Sequence, residues 1–315
     1  MKKLLLAWFF VVHSLISFGC DICSIYFEMT PNDFRSKVGL FYSHRYLNGY
    51  PSTGKKHGGL ANAWKDKLVK ENYGTFELRG EYFPTRWFSI YASVPVVHNT
   101  RTIDGQKYAD IWGFGDPILM PKFRVLNTRN EGKTNHRITL AAGVKFPVGS
   151  VTKQYMGLEQ DLDMQPGTGS WDALFSATYL FVVKEFGMNS SVSYKLNTQN
   201  KYGYGYGDNV FSQLDFMYLY KKEDFRFFPK IGLYFEHGFQ DEFLQNKILD
   251  SGGSVLFCSI GFDAYWKGLQ FTVLIQPRIA ESYGGLEIPA KARLQVGVTY
   301  NFKTSKKDKN EKAIK

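Results

Sequence analysis

Cysteine is nearly missing from this chain of 315 residues, which has three, at positions 20, 23 and 258. That excludes a disulfide-rich scaffold. Histidine is almost as scarce, with six residues, one of them within the first 19 positions. No apolar run after residue 19 is long enough for a bilayer-crossing helix. No segment keeps a long 3.6-residue period; the weak exception, Leu60 to Glu71, predicts a short helical turn inside a loop. There is no GxSxG elbow, no HExxH pair and no clustered carboxylate dyad, and Gly167-Thr168-Gly169-Ser170-Trp171 is only a near miss. Tyr202 to Asp208 has the glycines of a phosphate loop but neither the apolar helix nor the Lys-Ser/Thr end that would make it one.

Aromatic residues are abundant instead: 27 Phe, 20 Tyr and 6 Trp, 17% of the chain. Rigid rings are costly to leave in water, but a transmembrane barrel uses them as lipid-facing filler and as girdles at both interfaces. The net charge of +10 is uneven. The tail after Phe302 carries +4 and Lys2-Lys3 carry +2, so the body holds only about +4, too little for a nucleic-acid partner. The tail reads as a solvated, disordered end.

Lys2-Lys3, the apolar stretch Leu4 to Ile16 and Ser17-Phe18-Gly19 form the three parts of an export signal, cut before Cys20. Cys20 could instead be a lipidated first residue, although Ser17 and Phe18 match the lipoprotein box poorly. Cys20 and Cys23 read as a local disulfide or inert thiols, with a soft-metal or redox site as the weaker alternative. Cys258 reads as a small apolar strand residue. The expected organisation is a signal over 1–19, a periplasmic segment over 20–33, a barrel over 34–302 and a basic tail over 303–315.

Everything between alternates with period two in stretches of ten to fourteen residues, the length of a tilted strand crossing the hydrocarbon layer. In Pro289 to Phe302, Ala290, Ala292, Leu294, Val296, Val298, Tyr300 and Phe302 oppose Lys291, Arg293, Gln295, Thr299 and Asn301. Strands are predicted near 34–47, 73–83, 87–98, 114–126, 137–148, 171–183, 187–197, 209–221, 226–239, 253–266, 269–281 and 289–302. Short links such as Lys184-Glu185-Phe186 and Lys267-Gly268 alternate with long polar ones such as Asn99 to Gly113 and Gly149 to Ser170. Twelve strands with short turns on one side and long loops on the other predict an all-β, antiparallel, up-and-down barrel in the outer membrane. The Asn127 to His136 link is long for a periplasmic turn. In the last strand Gly297, Tyr300 and Phe302 resemble the assembly signal of such barrels, which implies the outer-membrane assembly machinery as a partner beside the lipid bilayer.

Several segments resemble one outer-membrane family, the meta-pathway phenol-degradation (transporter-like) group. They are Gly113-Phe114-Gly115-Asp116-Pro117 with Lys122-Phe123-Arg124, and Ala142 to Gly149. Pro166-Gly167-Thr168-Gly169-Ser170-Trp171-Asp172, and Gly203 to Asp208 after Tyr194-Lys195-Leu196-Asn197, complete the set. The resemblance implies a barrel that moves small molecules, hydrophobic ones among them, and the family's name is not evidence of an enzymatic step.

With the apolar side toward lipid, the inward set is Glu77, Arg79, Glu81, Asp116, Lys122, Arg124, Lys145, Asp172, Lys195, Asp215, Glu236, Asp263, Gln276, Arg278, Lys291 and Arg293. A lipid-facing charge near the midplane costs about 2–4 kcal/mol, which drives these groups inward. Two readings follow. Opposite charges pair and plug the lumen, leaving a surface-binding or structural barrel. Alternatively a narrow polar path remains, where Lys122, Arg124, Lys145, Lys195, Lys291 and Arg293 favour anionic or polar solutes. A barrel-type lipid-modifying enzyme is the minor reading, with His44, His98 or His237 beside Ser43, Ser93 or Ser259. No cofactor is expected.

Overall fold

A strand whose side chains alternate between apolar and charged can satisfy both faces only if one meets lipid and the other a shared interior. The computed structural model describes residues 35–50, 66–128, 134–248, 251–283 and 288–303, and it closes such strands into a barrel. The twelve strands are β1 (Arg35–Gly49), β2 (Val69–Tyr82), β3 (Phe88–Ile103), β4 (Ile118–Asn127), β5 (Asn135–Lys145) and β6 (Asp172–Val183). They continue as β7 (Phe186–Leu196), β8 (Asn209–Tyr218), β9 (Phe225–Gly238), β10 (Gly253–Trp266), β11 (Leu269–Tyr283) and β12 (Ala290–Lys303). Each pairs antiparallel with the next, and β12 returns to β1 with Lys303 opposite Arg35. Among the described residues this twelve-strand ladder closes on itself, so it has no first or last strand with a free edge.

Both ends of the barrel chain lie on the side of the short turns. One of these, Lys267-Gly268, has both residues at positive φ (46° and 89°), the geometry that follows the twist of a two-residue hairpin. The outer wall exposes Leu40, Phe76, Leu78, Leu119, Leu140, Phe175, Ile231, Ile260 and Ile275, while Lys37, Arg79, Lys122, Lys145, Asp215 and Asp263 are buried inside. Tyr82, Trp87, Phe186, Tyr218, Trp266 and Tyr300 ring the exterior near the short turns; Trp112, Phe114 and Trp171 stand toward the opposite end.

The structure departs from the sequence reading in four places. Val69–Glu71 of the expected helical turn belong to β2, and its first residues lie outside the described ones. The expected Asn99 to Gly113 loop is largely strand: β3 runs on to Ile103, and a turn at Asp104-Gly105 returns the chain as Gln106–Phe114, paired with β3. Polar letters there suggest a loop, but cross-strand pairing satisfies them. Gly115-Asp116-Pro117 then interrupts the ladder before β4, with Gly115 N donating to Pro95 O at 2.9 Å. Finally, Lys291 is exposed and not lumenal. The β1–β12 register passes from Tyr46↔Ala292 to Leu47↔Ala290, and this bulge turns Ala290 inward in place of its neighbour. The export signal, Cys20, Cys23 and residues 304–315 lie outside the described residues, whereas Lys303 ends β12.

Candidate functional site

The barrel's interior is organised by the segment between β5 and β6, which folds over and into one mouth. It contains a small hairpin, Gln154–Tyr155 with Leu158–Glu159, and a single 3-10 turn, Leu162–Met164. Met164 is fully buried, and its carbonyl accepts from Asn99 Nδ2 at 3.2 Å. Gln165 holds Lys153 from both directions, its Oε1 accepting from Lys153 N at 2.8 Å and its Nε2 donating to Lys153 O at 3.0 Å. Arg101 on β3 joins Asp161 of this segment to Glu71 on β2.

Both flanks of the segment are pinned by one carboxylate. Asp116 accepts from Gly149 N at 2.8 Å through Oδ1, and from Thr168 N at 2.8 Å and Thr168 Oγ1 at 3.0 Å through Oδ2. Lys145 Nζ bonds Thr168 Oγ1 and pairs with Asp172 at 2.5 Å and Asp116 at 3.3 Å; Lys195 reaches Asp172 at 3.5 Å. Lys145 and Lys195 are 0% exposed and Asp172 is 1% exposed. Gly149 and Gly167 meet so closely that a Cβ on Gly167 would lie 2.6 Å from the Gly149 Cα. The chain crossing therefore requires two residues without side chains. The motifs that carry the family resemblance converge here: Asp116, Lys145, Gly149, Gly167, Thr168, Asp172 and Lys195 form one clamp. Lys145 also borders the chamber below, and the ammonium groups of Lys145 and Lys195 are both paired within this clamp.

Beneath the clamp lies a chamber partly open to solvent. Its wall mixes Arg45, Glu77, Gln276 and Arg293 with Tyr73, Tyr234, Val97 and Leu274. Arg45 lies 4.4 Å over the Tyr73 ring, and Arg293 lies 5.1 Å over Tyr234 while pairing with Glu236. Asp163, from the folded-in segment, also faces this chamber: water reaches it there, yet protein surrounds it. The protein packed around this water-exposed carboxyl raises it to about 7; Asp241, Glu71 and Asp161 add to the rise and Arg101 opposes it.

A belt of paired charges crosses the barrel nearer the short turns. Glu81 takes Lys37 at 3.3 Å, Lys122 at 3.1 Å and Ser89 Oγ at 2.8 Å, and Glu77 takes Arg79 at 2.6 Å and the Ser93 hydroxyl. Asp263 accepts from Lys230 at 3.0 Å and Thr272 at 2.7 Å, and Asp215 from Gln213 at 2.6 Å. Gln276 donates to Ser259 Oγ at 2.8 Å and Arg124 donates to Arg86 O at 3.1 Å, while Arg278 pairs with Glu281 toward the opposite mouth. Below the belt is a second, smaller chamber.

Lys37, Glu71, Arg101, Arg137, Lys230 and Asp163 are absent from the inward set read from sequence. Arg137 shares the parity of Lys145, so the alternation already carried its signal, whereas nothing in a polar loop marks Asp163. Of the enzyme candidates, His98 bonds Asp110 at 2.9 Å, His44 sits beside Tyr42, and His237 meets Ser254 at 2.9 Å, not Ser259. Cys258 is a half-buried free thiol. Among the described residues no group of three His, Cys, Asp or Glu could hold a metal ion.

A closed antiparallel barrel with a greasy exterior and charged interior is a transmembrane β-barrel of the outer-membrane class. The family described as "Putative MetA-pathway of phenol degradation" matches residues 72–288, and the chain belongs to that family. No curated protein matches it in sequence. Among solved structures it is similar to an outer membrane channel from Pseudomonas putida F1, at 14% identity and a TM-score of 0.61, over 87% of this chain and 100% of that one. It is also similar to the beta domain of the Bordetella autotransporter Brka, at 12% identity and a TM-score of 0.51, over 86% of this chain and 100% of that domain. At these identities the likeness concerns the fold.

Proposed function

We propose that this protein is an outer-membrane passage for small amphipathic or apolar solutes, closed at one mouth by the folded-in segment between β5 and β6. The observation that carries the reading is the chamber under that segment. Rings and aliphatic side chains alternate there with ion-paired charges, a lining that accepts a small molecule with one polar end. Two things support it: the fold is shared with a protein described as an outer membrane channel, and the family's description refers to phenol degradation. In this reading residues 1–19 direct export, 34–302 form the barrel and 303–315 are a basic tail on the periplasmic side. Gly297, Tyr300 and Phe302 present the last strand to the assembly machinery.

Planar-bilayer recording tests it. The intact protein should conduct weakly, and a variant with residues 150–165 replaced by a short Gly-Ser linker should conduct steadily. A folded linker variant that stays silent would leave a plugged barrel with a structural or surface-binding role.

A further inference from the structure

The first chamber carries one level of hydrogen-bonding groups that neither the clamp nor the belt uses. The ladder from β11 through β12, β1 and β2 to β3 sets Leu274, Gln295, Ser43, Thr75 and Val97 side by side, each opposite the next. All five line the chamber. Neighbouring strands lie about 4.8 Å apart, so Gln295, Ser43 and Thr75 make a polar patch about 10 Å wide between two aliphatic side chains. Gln295 is only 5% exposed. Among the described residues neither Gln295 Nε2 nor Ser43 Oγ has a hydrogen-bond partner. Buried polar groups left unpaired are costly, so a solute that pairs them recovers that cost on binding. The charges that flank this level are engaged with each other. Arg293, one level toward the outer mouth, pairs with Glu236, and Glu77, one level toward the short turns, pairs with Arg79.

We infer that this level is a binding station for small neutral solutes that carry one hydroxyl group on an apolar body. A hydroxyl both accepts and donates, so a single one accepts from Gln295 Nε2 and donates to Ser43 Oγ. The apolar body then lies against Leu274, Val97 and the Tyr73 ring. A hydrocarbon would answer neither polar group. A carboxylate would bring a charge to a level whose own side chains are all neutral. The inference rests on the passage reading and names its class of solute, with Gln295 and Ser43 as the residues that select it.

Fluorine NMR of the full-length protein in detergent micelles, titrated with 4-fluorobenzyl alcohol, 4-fluorotoluene and 4-fluorobenzoate, tests it, with empty micelles as the blank. The alcohol should bind saturably and about fivefold or more tighter than either of the other two. Ser43→Ala and Gln295→Leu should each weaken the alcohol about three- to tenfold, while 4-fluorotoluene binds as before or better. Both variants should also resist heat at least as well as the wild type, because each removes a polar group from a buried wall. A preference for the alcohol that survives both substitutions would overturn the assignment. So would equal binding of 4-fluorotoluene or 4-fluorobenzoate to the wild type, or a marked loss of thermal stability in the variants. Equilibrium binding needs no passage, so selective binding of the alcohol without conductance sinks the passage reading alone, and conductance without that selectivity sinks this one alone.

Discussion

Asp163 is held where its ionisation and the docking of its own segment oppose each other. Its carboxyl, raised to about 7, takes up a proton in the docked state that it would release if the segment swung out into water. The docked state therefore binds more protons between the ordinary carboxylate range and about pH 7. Docking is strongest below that window and is progressively lost as the pH climbs through 7. Asp241, Glu71 and Asp161 face the group and strengthen the effect, while Arg101 moderates it. Conductance of the intact protein should accordingly fall as the pH is lowered from 8 to 5, with a slope softened by the water that reaches Asp163. Asp163→Asn, which mimics the protonated form, should conduct weakly and show no such slope. A wild-type conductance that rises on acidification would contradict this account of Asp163.

The segment between β5 and β6 owes its position to backbone contact as much as to charge. Gly149 and Gly167 leave no room for a methyl group between them. Gly167→Ala must push the two flanks apart, at a cost of about 1–3 kcal/mol typical of overpacking. Trypsin should then cut after Lys153 several-fold faster, because the hydrogen bonds from Gln165 to Lys153 loosen with the segment. An unchanged cleavage rate would mean the crossing is not what docks it. Sequence pattern could locate this segment but not its inward course. Alternation identifies strands because a period of two is local, and β5 and β6 are legible in it residue by residue. The clamp instead joins Asp116, Gly149 and Thr168 across 52 positions, and only tertiary contact brings them together. The same limit explains Lys291, since a one-residue bulge reverses the parity of the residues at and beyond it.

At the scale of the molecule, twelve strands sort side chains between two solvents. The charged groups find partners inside, where the clamp, the belt and the two chambers follow one another along the axis, and the exterior keeps its apolar residues for lipid. A buried cation such as Lys145 is stable there only because Asp116 and Asp172 share it; losing one member of such a group costs about 3–5 kcal/mol. The most direct test of this sorting is cysteine accessibility on β2, in protein whose three native cysteines are replaced by serine and which is embedded in lipid nanodiscs. Thr75→Cys, lining the first chamber, should react with a small water-soluble methanethiosulfonate, and Leu78→Cys, on the outer wall, should not. Reaction at position 78 with protection at position 75 would contradict a lipid-covered barrel with a watered interior.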